Sequence, residues 1–403
     1  MLKAASLAYA VFIFLLVGIF CYIIMQIFSF SLELNNYFDL RKKLIMHNES
    51  AASYAKANFE NLKSYKQIRL FPNEKIETVF VKEKWGFFDK LTIISSLKKD
   101  SIRQDFLVAN KRNKNTPALY LRDNDEDFKI SGGTRINGDI FIPKKGLKTI
   151  TIDNNSFEKP IHNGSVFNSQ KVFPKHSELT IGYPENYELL DINEINEHSV
   201  INGFNEITKV IEVNTKLENL KLKGNIMVTS QDTLIISSSV ILEDVILEAP
   251  KIIFQNGFEG SAQVFASKGV IVEPQVVLKY PSIITVGSNH IMEKSIIFEG
   301  ESVFSGLVFM QGGGLSLEKQ NTILIKEKAE LTGEVYCDGT LSLYGIVNGS
   351  VFASALVHKT TTTAYKNLIY NGHILVDKVP GSFFQDSFFQ PLDSEEILFV
   401  KKI

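Results

Sequence analysis

The sequence predicts a mainly β protein: a parallel β-helix, or solenoid, carried on a long N-terminal transmembrane and stalk α-helix. Three observations predict this class. An uncharged apolar run fills the N-terminus, and a segment with helical periodicity follows it without Pro or Gly until Pro72. Short β-branched triplets then recur about every 18 residues, with glycines between them.

The first predicted element is a membrane anchor over residues 1–32. No charged residue occurs between Ala4 and Leu32, and about 20 apolar residues suffice for a helix to cross the hydrocarbon core. A cleaved signal peptide is the alternative, but its apolar run is usually about 7–15 residues long and ends at a small-residue cleavage site. We therefore expect an uncleaved helix whose partner is the lipid bilayer. The predicted anchor residues are Val11, Phe12, Ile13, Phe14, Leu15, Leu16, Val17, Ile19, Phe20, Ile23 and Ile24.

The charges that flank this run bear on its orientation. Lys3 precedes the run, whereas Arg41, Lys42 and Lys43 follow it. Because cytoplasmic flanks carry the excess of Lys and Arg, this distribution favours a cytoplasmic C-terminal domain. The family resemblance described below favours the opposite side, so both orientations stay open.

Residues 33–66 predict an amphipathic helical stalk that continues the anchor. Apolar or small residues recur close to the helical period, and polar residues such as Asn48 and Glu49 between them suit a water-facing side. The apolar stripe needs a cover, either the protein's own β domain or a partner helix. Its members are Tyr37, Leu40, Leu44, Ala51, Ala55, Phe59 and Leu62.

The β-rich part of the chain divides into two predicted regions. Residues 67–129 alternate short apolar runs with charged turns, which predicts a small antiparallel sheet between the stalk and the main domain. Residues 130–380 predict the solenoid, because triplets such as 234–236, 252–254 and 270–272 recur without helical patterns between them. A β-sandwich with irregular strands is the alternative. Spacing does not determine the handedness of a solenoid, and we favour a right-handed one.

The C-terminal segment 381–403 is predicted to be an aromatic cap. Four phenylalanines stand close together after Pro380-Gly381. They would cover the last coil of the solenoid, because solenoid ends must be shielded from water, or they would dock a protein partner. These residues are Phe383, Phe384, Phe388 and Phe389.

Carboxylates provide the only candidates for catalysis or metal binding. A carbohydrate-cleaving β-helix enzyme needs two carboxylates roughly 5–9.5 Å apart, but Glu at a coil corner more often faces solvent. The candidate residues are Glu243 and Asp244 with Glu248, and Glu299 with Glu301. The run Asp123-Asn124-Asp125-Glu126-Asp127 opens like a calcium loop, but Phe128 stands where that loop needs Gly, so we expect an exposed turn.

The remaining patterns predict neither a cofactor nor a metal. The seven histidines lack zinc-ligand spacing, and Gly312-Gly313-Gly314 lacks the Lys-Ser/Thr ending of a phosphate loop. A net charge of −2 provides no positive field for nucleic acid. Cys21 lies in the apolar run and Cys337 in the β region, so we expect both to be reduced structural residues.

The sequence resembles three groups of known proteins. The stretch 331–351, with its Gly-x-hydrophobic repeats around Gly333, Gly345 and Gly349, resembles the coils of bactofilins, the polymer-forming bacterial cytoskeletal β-helix proteins. The order of basic tip, apolar helix, amphipathic continuation and β head is similar to that of a minor pilin subunit. The chain also resembles a group of single-pass Bacteroidetes membrane proteins, which implies no function. The segments that match this group are 117–121, 133–138, 257–260 and 280–282.

These features predict a non-enzymatic structural or assembly component of a bacterial envelope apparatus, such as a pilus-like or secretion-like minor subunit. The chain would lie in the bacterial inner membrane, with its head in the periplasm or outside the cell. Its protein partners, or further copies of itself, would bind through the stalk helix or the solenoid ends. A membrane-tethered, polymer-forming cytoskeletal scaffold and a surface carbohydrate-active β-helix enzyme are the alternatives.

Overall fold

The computed structural model describes residues 2–113, 115–152, 159–174, 182–184, 186–192, 195, 198–287, 293–311, 321–384 and 397–403, with the backbone alone for residues 2–5. Strands make up 53% of the chain and are accompanied by one long N-terminal helix, so the predicted mainly β class is confirmed. The chain forms two compact units. The first consists of Met1–Lys82 and Thr92–Gln104, and the second of Glu83–Leu91 and Asp105–Ile403.

The described helices are α1 (Leu2–Ala57) and two 3-10 turns at Phe59–Asn61 and Val376–Lys378. The described strands are β1 Tyr65–Ile68, β2 Glu77–Trp85, β3 Phe88–Leu97, β4 Asp100–Asn110, β5 Leu119–Leu121, β6 Phe128–Ser131, β7 Arg135–Asn137, β8 Ile140–Ile142, β9 Leu147–Thr149, β10 Ile161–Asn163, β11 Val166–Asn168, β12 Tyr187–Leu190, β13 Ser199–Asn202, β14 Thr208–Glu212, β15 Lys216–Leu217, β16 Lys221–Thr229, β17 Thr233–Ile236, β18 Ile241–Phe254, β19 Glu259–Val272, β20 Val277–Gly287, β21 Ser295–Phe298, β22 Val303–Gln311, β23 Thr322–Ile325, β24 Glu330–Leu343, β25 Ile346–Lys359, β26 Ala364–Lys366, β27 Leu368–Tyr370, β28 His373–Leu375 and β29 Ile397–Lys402.

The first unit begins with α1, one uninterrupted helix of 56 residues. Its sequence contains no proline and a single glycine, Gly18, so nothing breaks the backbone hydrogen bonds between the predicted anchor and stalk. The helix ends at Ala57, before the predicted end at residue 66. Tyr65–Ile68 instead pairs antiparallel with the start of β2, and this strand pairing replaces the last helical turns that the periodicity predicts.

The C-terminal part of α1 packs on strands of its own unit. Leu44, Ala51 and Ala55 are almost fully buried, so the protein's own β-strands cover this part of the predicted stripe. Tyr37 stays exposed. Asn48 was expected to face water, but it is fully buried. Its amide nitrogen lies 3.1–3.3 Å from three acceptors, the Ile93 carbonyl, the Ser95 hydroxyl and the Ile102 carbonyl, which share its two hydrogens.

The second unit contains a sheet of 21 strands. Apart from the antiparallel pair of β25 and β26, the described pairings of this sheet are parallel. Ile236 lies beside Phe254, and Phe254 beside Val272. The triplets therefore meet in the register that their spacing predicts. This parallel pairing differs from the antiparallel strands that the β-sandwich alternative requires.

One set of paired residues, which we call the inner column, runs through the buried core of this sheet. Each member lies beside the next on a neighbouring parallel strand, and all are aliphatic and almost fully buried. In spatial order the inner column is Ile211, Val228, Leu247, Val264, Ile284, Val308, Val335, Val351, Leu119 and Ile140.

The spatial order of the strands departs from their order in the sequence. β5 and β28 both pair in parallel with β25, β7 pairs with β28, and β8 pairs with β5. An early segment of the chain therefore continues the sheet beyond one of the latest strands. Parallel pairing starts at Leu119, before the predicted boundary at residue 130.

Smaller pairings complete the second unit. β6, β9 and β27 form a three-stranded parallel sheet. β29 pairs antiparallel with β4, with Ile397 beside Asn110. The predicted aromatic cap over residues 381–403 thus contains a sheet strand, because Ile397–Lys402 pairs with β4.

Candidate functional site

The predicted anchor residues lie on the first half of α1 and are exposed. Phe14 has an exposed fraction of 82%, and the other ten anchor residues also have exposed side chains. The best 18-residue window of this helix has a mean hydropathy of 2.7 and no buried positions. Burying these side chains in water-free surroundings would be favourable. Within the described part of the chain, α1 is a candidate membrane span.

Phe383 and Phe384 are buried in the second unit rather than exposed. The Phe383 ring lies 4.5 Å from that of Tyr280, and the Phe384 ring lies 5.3 Å from that of Phe88. Tyr280 belongs to β20, in the middle of the strand order, so these two rings pack on the side of the sheet instead of covering its last strand. Phe388 and Phe389 lie outside the described residues.

The candidate carboxylates Glu243 and Asp244 form ion pairs with lysines. Lys401 Nζ lies 2.6 Å from Asp244 Oδ2 and 3.0 Å from Glu243 Oε1, and Lys223 Nζ lies 2.9 Å from Glu243 Oε2. Burial raises the pKa of Asp244, whereas the hydrogen bond from Lys223 lowers the pKa of Glu243. Glu248, the third member of the predicted set, instead accepts a hydrogen bond from Tyr183.

The other acidic candidates are also paired with lysines. Glu299 lies 2.6 Å from Lys326, and Glu301 lies 3.3 Å from Lys328. In the predicted turn at 123–127, Asp125 and Asp127 each bind a lysine at 2.7 Å, and these hydrogen bonds lower the pKa of both carboxyls. These side chains form ordinary ion pairs at turns.

The remaining candidate residues do not converge on a reactive site. In the ranges that the structure describes, no group of three or more His, Cys, Asp or Glu is placed to hold a metal ion. Cys21 and Cys337 are both free thiols, and burial raises the pKa of Cys337, which keeps the thiol protonated. His176, His290 and Gly312-Gly313-Gly314 lie outside the described residues.

A second set of paired residues lies on the opposite face of the same strands, because neighbours along a strand point to opposite faces. We call this set the outer column. Four of its first five residues are polar, and the remaining six are all aromatic. In spatial order the outer column is Glu212, Thr229, Glu248, Phe265, Thr285, Phe309, Tyr336, Phe352, Tyr120, Phe141 and Phe167.

The aromatic half of the outer column is stacked and covered. The Phe309 and Tyr336 rings are stacked with centroids 4.7 Å apart. Phe173, on the segment that follows β11, packs 5.0 Å from Tyr336, and the Tyr336 hydroxyl donates a 2.7 Å hydrogen bond to the Pro174 carbonyl. The chain therefore shields its own aromatic residues from water here.

A second cover comes from the segment 83–91 and is fixed by one glutamine. The Gln263 carbonyl oxygen accepts a 2.7 Å hydrogen bond from the Phe87 backbone N–H, and its amide nitrogen donates to the Trp85 carbonyl. The Trp85 indole N–H donates to the Asn225 side chain at 3.2 Å. These bonds hold the aromatic tip of this segment on the outer face.

The polar half of the outer column lines a cavity of about 520 Å³. This volume lies within the range of small-molecule sites, about 300–1,000 Å³. The facing wall comes from the segment before β12 and from β12 itself. The lining residues are Tyr183, Pro184, Tyr187, Leu189, Val210, Glu212, Met227, Thr229, Ser230, Gln231, Glu248, Ala249, Pro250, Phe265, Ala266, Ser267, Thr285 and Gly287.

The cavity is acidic. Glu212 and Glu248 are separated by Thr229 along the outer column, so their Cα atoms lie two strand spacings apart, about 9–10 Å. The Tyr183 hydroxyl donates a 3.1 Å hydrogen bond to Glu248 Oε1. Burial and the neighbouring Glu248 charge raise the pKa of Tyr183 to about 12. Among the described lining residues there is no Lys, Arg or His.

Thr285 contributes a buried hydroxyl to the cavity wall. Its side chain is only 6% exposed, and its Oγ1 has no hydrogen-bond partner among the described residues. An unsatisfied buried hydroxyl costs about 1–3 kcal/mol. A buried hydroxyl of this kind can be satisfied by a water molecule or by a polar group of a ligand.

Sequence reasoning identified Glu248 but not the rest of this cavity. The outward-facing residues Glu212, Thr229, Glu248, Phe265 and Thr285 follow one another at intervals of 17 to 20 residues, a signal that the aliphatic triplets obscured. The Tyr183–Glu248 contact joins residues far apart in the chain, and no local pattern predicts it.

Comparison with known proteins adds no assignment: no protein-family profile, curated protein or solved structure matches this chain.

Proposed function

We propose that this protein is a non-enzymatic, membrane-anchored structural or assembly component of a bacterial envelope apparatus. Its second unit would be a right-handed parallel β-helix. The observation that carries the proposal is the continuity of α1, which joins a candidate membrane span to a helix segment docked on β-strands. A helix without a break keeps the docked strands at a constant height above the membrane.

The docking of α1 within the first unit supports a rigid role. The Asn48 amide nitrogen lies within hydrogen-bonding distance of three acceptors on the strands, and the His47 ring approaches the Thr78 hydroxyl at 3.3 Å. Burial lowers the pKa of His47 and favours its neutral form. Buried polar contacts of this kind specify one register of helix against sheet, because any shift would leave polar groups unsatisfied.

The inner column supports the β-helix as the fold of the second unit. Parallel strands need a crossover to return to the same edge, and strands in register over ten aliphatic positions fit the stacked layers of a solenoid. The lysine partners of Glu243 and Asp244 support a non-enzymatic role, since they neutralise the carboxylates that hydrolysis would need.

The anchor can be tested in the native host with the full chain. We expect the wild-type protein to resist carbonate extraction and, in mild detergent, to migrate in complexes larger than its own 45.4 kDa. The double variant Phe14→Arg/Val17→Arg should leave the membrane fraction and lose these complexes, because charges at the centre of a span are costly. Phe38→Arg, an exposed position beyond the apolar core, is the matched control and should behave like wild type. A wild-type chain that migrates as a monomer contradicts the proposal.

A second candidate function, a polymer-forming scaffold, is favoured by the outermost strands. In the described ranges β10 and β11 pair on one side only, with β7 and β8, and Ile161 and Val166 are 47% and 50% exposed. At the other end of the strand order, Leu189 and Ile201 are more than 60% exposed. Exposed edge strands of this kind template pairing with another chain.

Two measurements separate the candidates. A reporter fused after Ile403 that is active outside the cytoplasm supports the envelope apparatus, whereas a cytoplasmic reporter supports the scaffold. Sedimentation of the detergent-solubilised full chain at increasing concentration tests polymerisation directly. If wild type stays monomeric, or if Val166→Lys polymerises as wild type does, the scaffold function is excluded.

A further inference from the structure

We propose that the cavity beside the outer column is a binding site for an organic cation, an alkylammonium or guanidinium group. The inference is independent of the proposed structural role, because it depends only on residues that line the cavity. Nothing in the anchor or the helix enters the argument.

The charge of the wall selects a positive ligand. Glu212 and Glu248 face the cavity on alternate strands, and the described lining residues include no basic side chain to neutralise them. In other parts of the second unit Glu243, Glu299 and Glu301 each have a lysine partner. Among the described residues no ion pair neutralises Glu212 or Glu248, and an ammonium or guanidinium group would supply the positive charge.

The neutral groups of the wall fit the same ligand. Thr285 Oγ1 is buried without a partner, and a hydroxyl oxygen accepts hydrogen bonds from ligands that only donate, as ammonium and guanidinium groups do. Tyr183, Tyr187 and Phe265 provide aromatic rings at the wall, and the faces of such rings attract cations. Carboxylates, an accepting hydroxyl and aromatic rings together form a site for a cation with an apolar stem.

The same group can come from two sources, a free amine or a basic side chain on a polypeptide. Binding to the detergent-solubilised full chain should be measured by calorimetry with two probes. The first is butylammonium chloride, and the second is a pentapeptide capped at both ends whose only charged group is a central lysine. The uncharged analogue 1-butanol tests whether charge is needed.

We expect saturable binding of at least one cationic probe, with a Kd at or below about 1 mM, and no binding of 1-butanol. Glu248→Gln should weaken binding about tenfold or more, because it removes a charge-assisted hydrogen bond. Glu212→Gln should act in the same direction. Glu301→Gln, which changes the net charge equally but lies outside the cavity, is the matched control and should leave the affinity unchanged.

The outcomes assign the source or overturn the proposal. Peptide binding at least tenfold tighter than butylammonium assigns a polypeptide source, and comparable affinities assign a free amine. The proposal is overturned if neither probe gives a saturable isotherm, if 1-butanol binds as well as the cations, or if the Glu301→Gln and Glu248→Gln variants bind alike. Thermal unfolding of each variant confirms that the site is folded.

Discussion

The inner and outer columns of the second unit lie on the same strands but differ in chemistry and in cover. Leu247 faces the core between Val228 and Val264, while its neighbour Glu248 faces outward. The inner column is aliphatic throughout. The outer column changes from acidic and polar to aromatic along its length. Its aromatic half is packed under other parts of the chain, and its polar half lines the cavity. One face therefore supplies stability, and the other is available for specific contacts.

This difference follows from the parallel register. When residues one layer apart lie side by side, each column is a continuous surface, and one polar side chain in the core would face apolar neighbours both above and below it. The inner column therefore tolerates aliphatic residues alone. The outer column is free to vary, because water or another segment can satisfy its polar groups.

The largest expected effect comes from truncation in the inner column. Leu247→Ala should lower the free energy of unfolding by about 2–5 kcal/mol, because it removes buried methyl groups and leaves a cavity. Urea unfolding followed by the fluorescence of Trp85, the single tryptophan, reports on this unit directly. Glu248→Ala, next to it on the outer face, should change the stability by no more than about 0.5 kcal/mol. Equal effects of the two variants would remove the distinction between the faces.

A substitution at Gly333 in the parallel sheet should lower the free energy of unfolding almost as much. Gly333 has a φ of +127°, and a Cβ there would collide with the carbonyl oxygen of Gly306, its neighbour in register. We expect Gly333→Ala to cost about 1–3 kcal/mol in backbone strain. Gly381→Ala is the control, because its Cβ would meet no atom. The same urea titration measures both, and an unchanged midpoint for Gly333→Ala would contradict the close approach of the two strands.

In the aromatic half of the outer column, the Tyr336 hydroxyl should contribute a smaller amount to the free energy of unfolding. Tyr336→Phe removes the hydrogen bond to the Pro174 carbonyl but keeps the stacked ring, so we expect a loss of about 0.5–1.5 kcal/mol. Tyr187→Phe, at an exposed ring on the same unit, should have almost no effect. Differential scanning calorimetry of the two variants gives the comparison. A loss equal to that of Leu247→Ala would mean that the cover is as essential as the core.

The smallest expected effect has the opposite sign. Thr285→Val replaces the unpartnered hydroxyl with a methyl group, so stability should stay constant or rise by up to about 1 kcal/mol. The mirror substitution Val286→Thr places a hydroxyl in the buried inner face and should cost about 1–3 kcal/mol. Thermal unfolding of this neighbouring pair shows whether the faces differ. A clear loss for Thr285→Val would indicate that its hydroxyl is already satisfied.

Much of the fold could be predicted from local spacing. Triplets at 234–236, 252–254 and 270–272 pair in the expected register, because β-branched residues at a constant interval have only one arrangement that buries all of them. The membrane-length apolar run likewise determined the start of α1. The helix end was misplaced, because strand pairing at Tyr65 competes with helix formation and periodicity does not measure that competition.

Long-range contacts could not be predicted. The pairing of Val351 with Leu119 joins segments far apart in sequence, and any apolar strand would have fitted the same edge. Asn48 lies on the buried face of α1 because its amide nitrogen is within hydrogen-bonding distance of three acceptors on the strands. Its position in the sequence does not reveal these acceptors. The cavity was missed for the same reason, since Tyr183 and Glu248 meet only in the folded chain.

The central claim is that the strands of the second unit stack in parallel and in register. Spin labels can test it in a Cys21→Ser background, because the remaining Cys337 is fully buried and burial raises the pKa of its thiol, which makes it unreactive. The label sites should belong to one column and should be partly or fully exposed. Lys221, Val303, Glu330 and Ile346 meet both conditions.

The decisive measurement is the set of distances by electron–electron double resonance from a label at Lys221→Cys to labels at Val303→Cys, Glu330→Cys and Ile346→Cys. These sites lie four, five and six strand steps away. Parallel, in-register strands predict distances near 19, 24 and 29 Å, an increase of about 4.8 Å per step. Distances that do not increase along the series, as expected for antiparallel strands packed face to face, would contradict it.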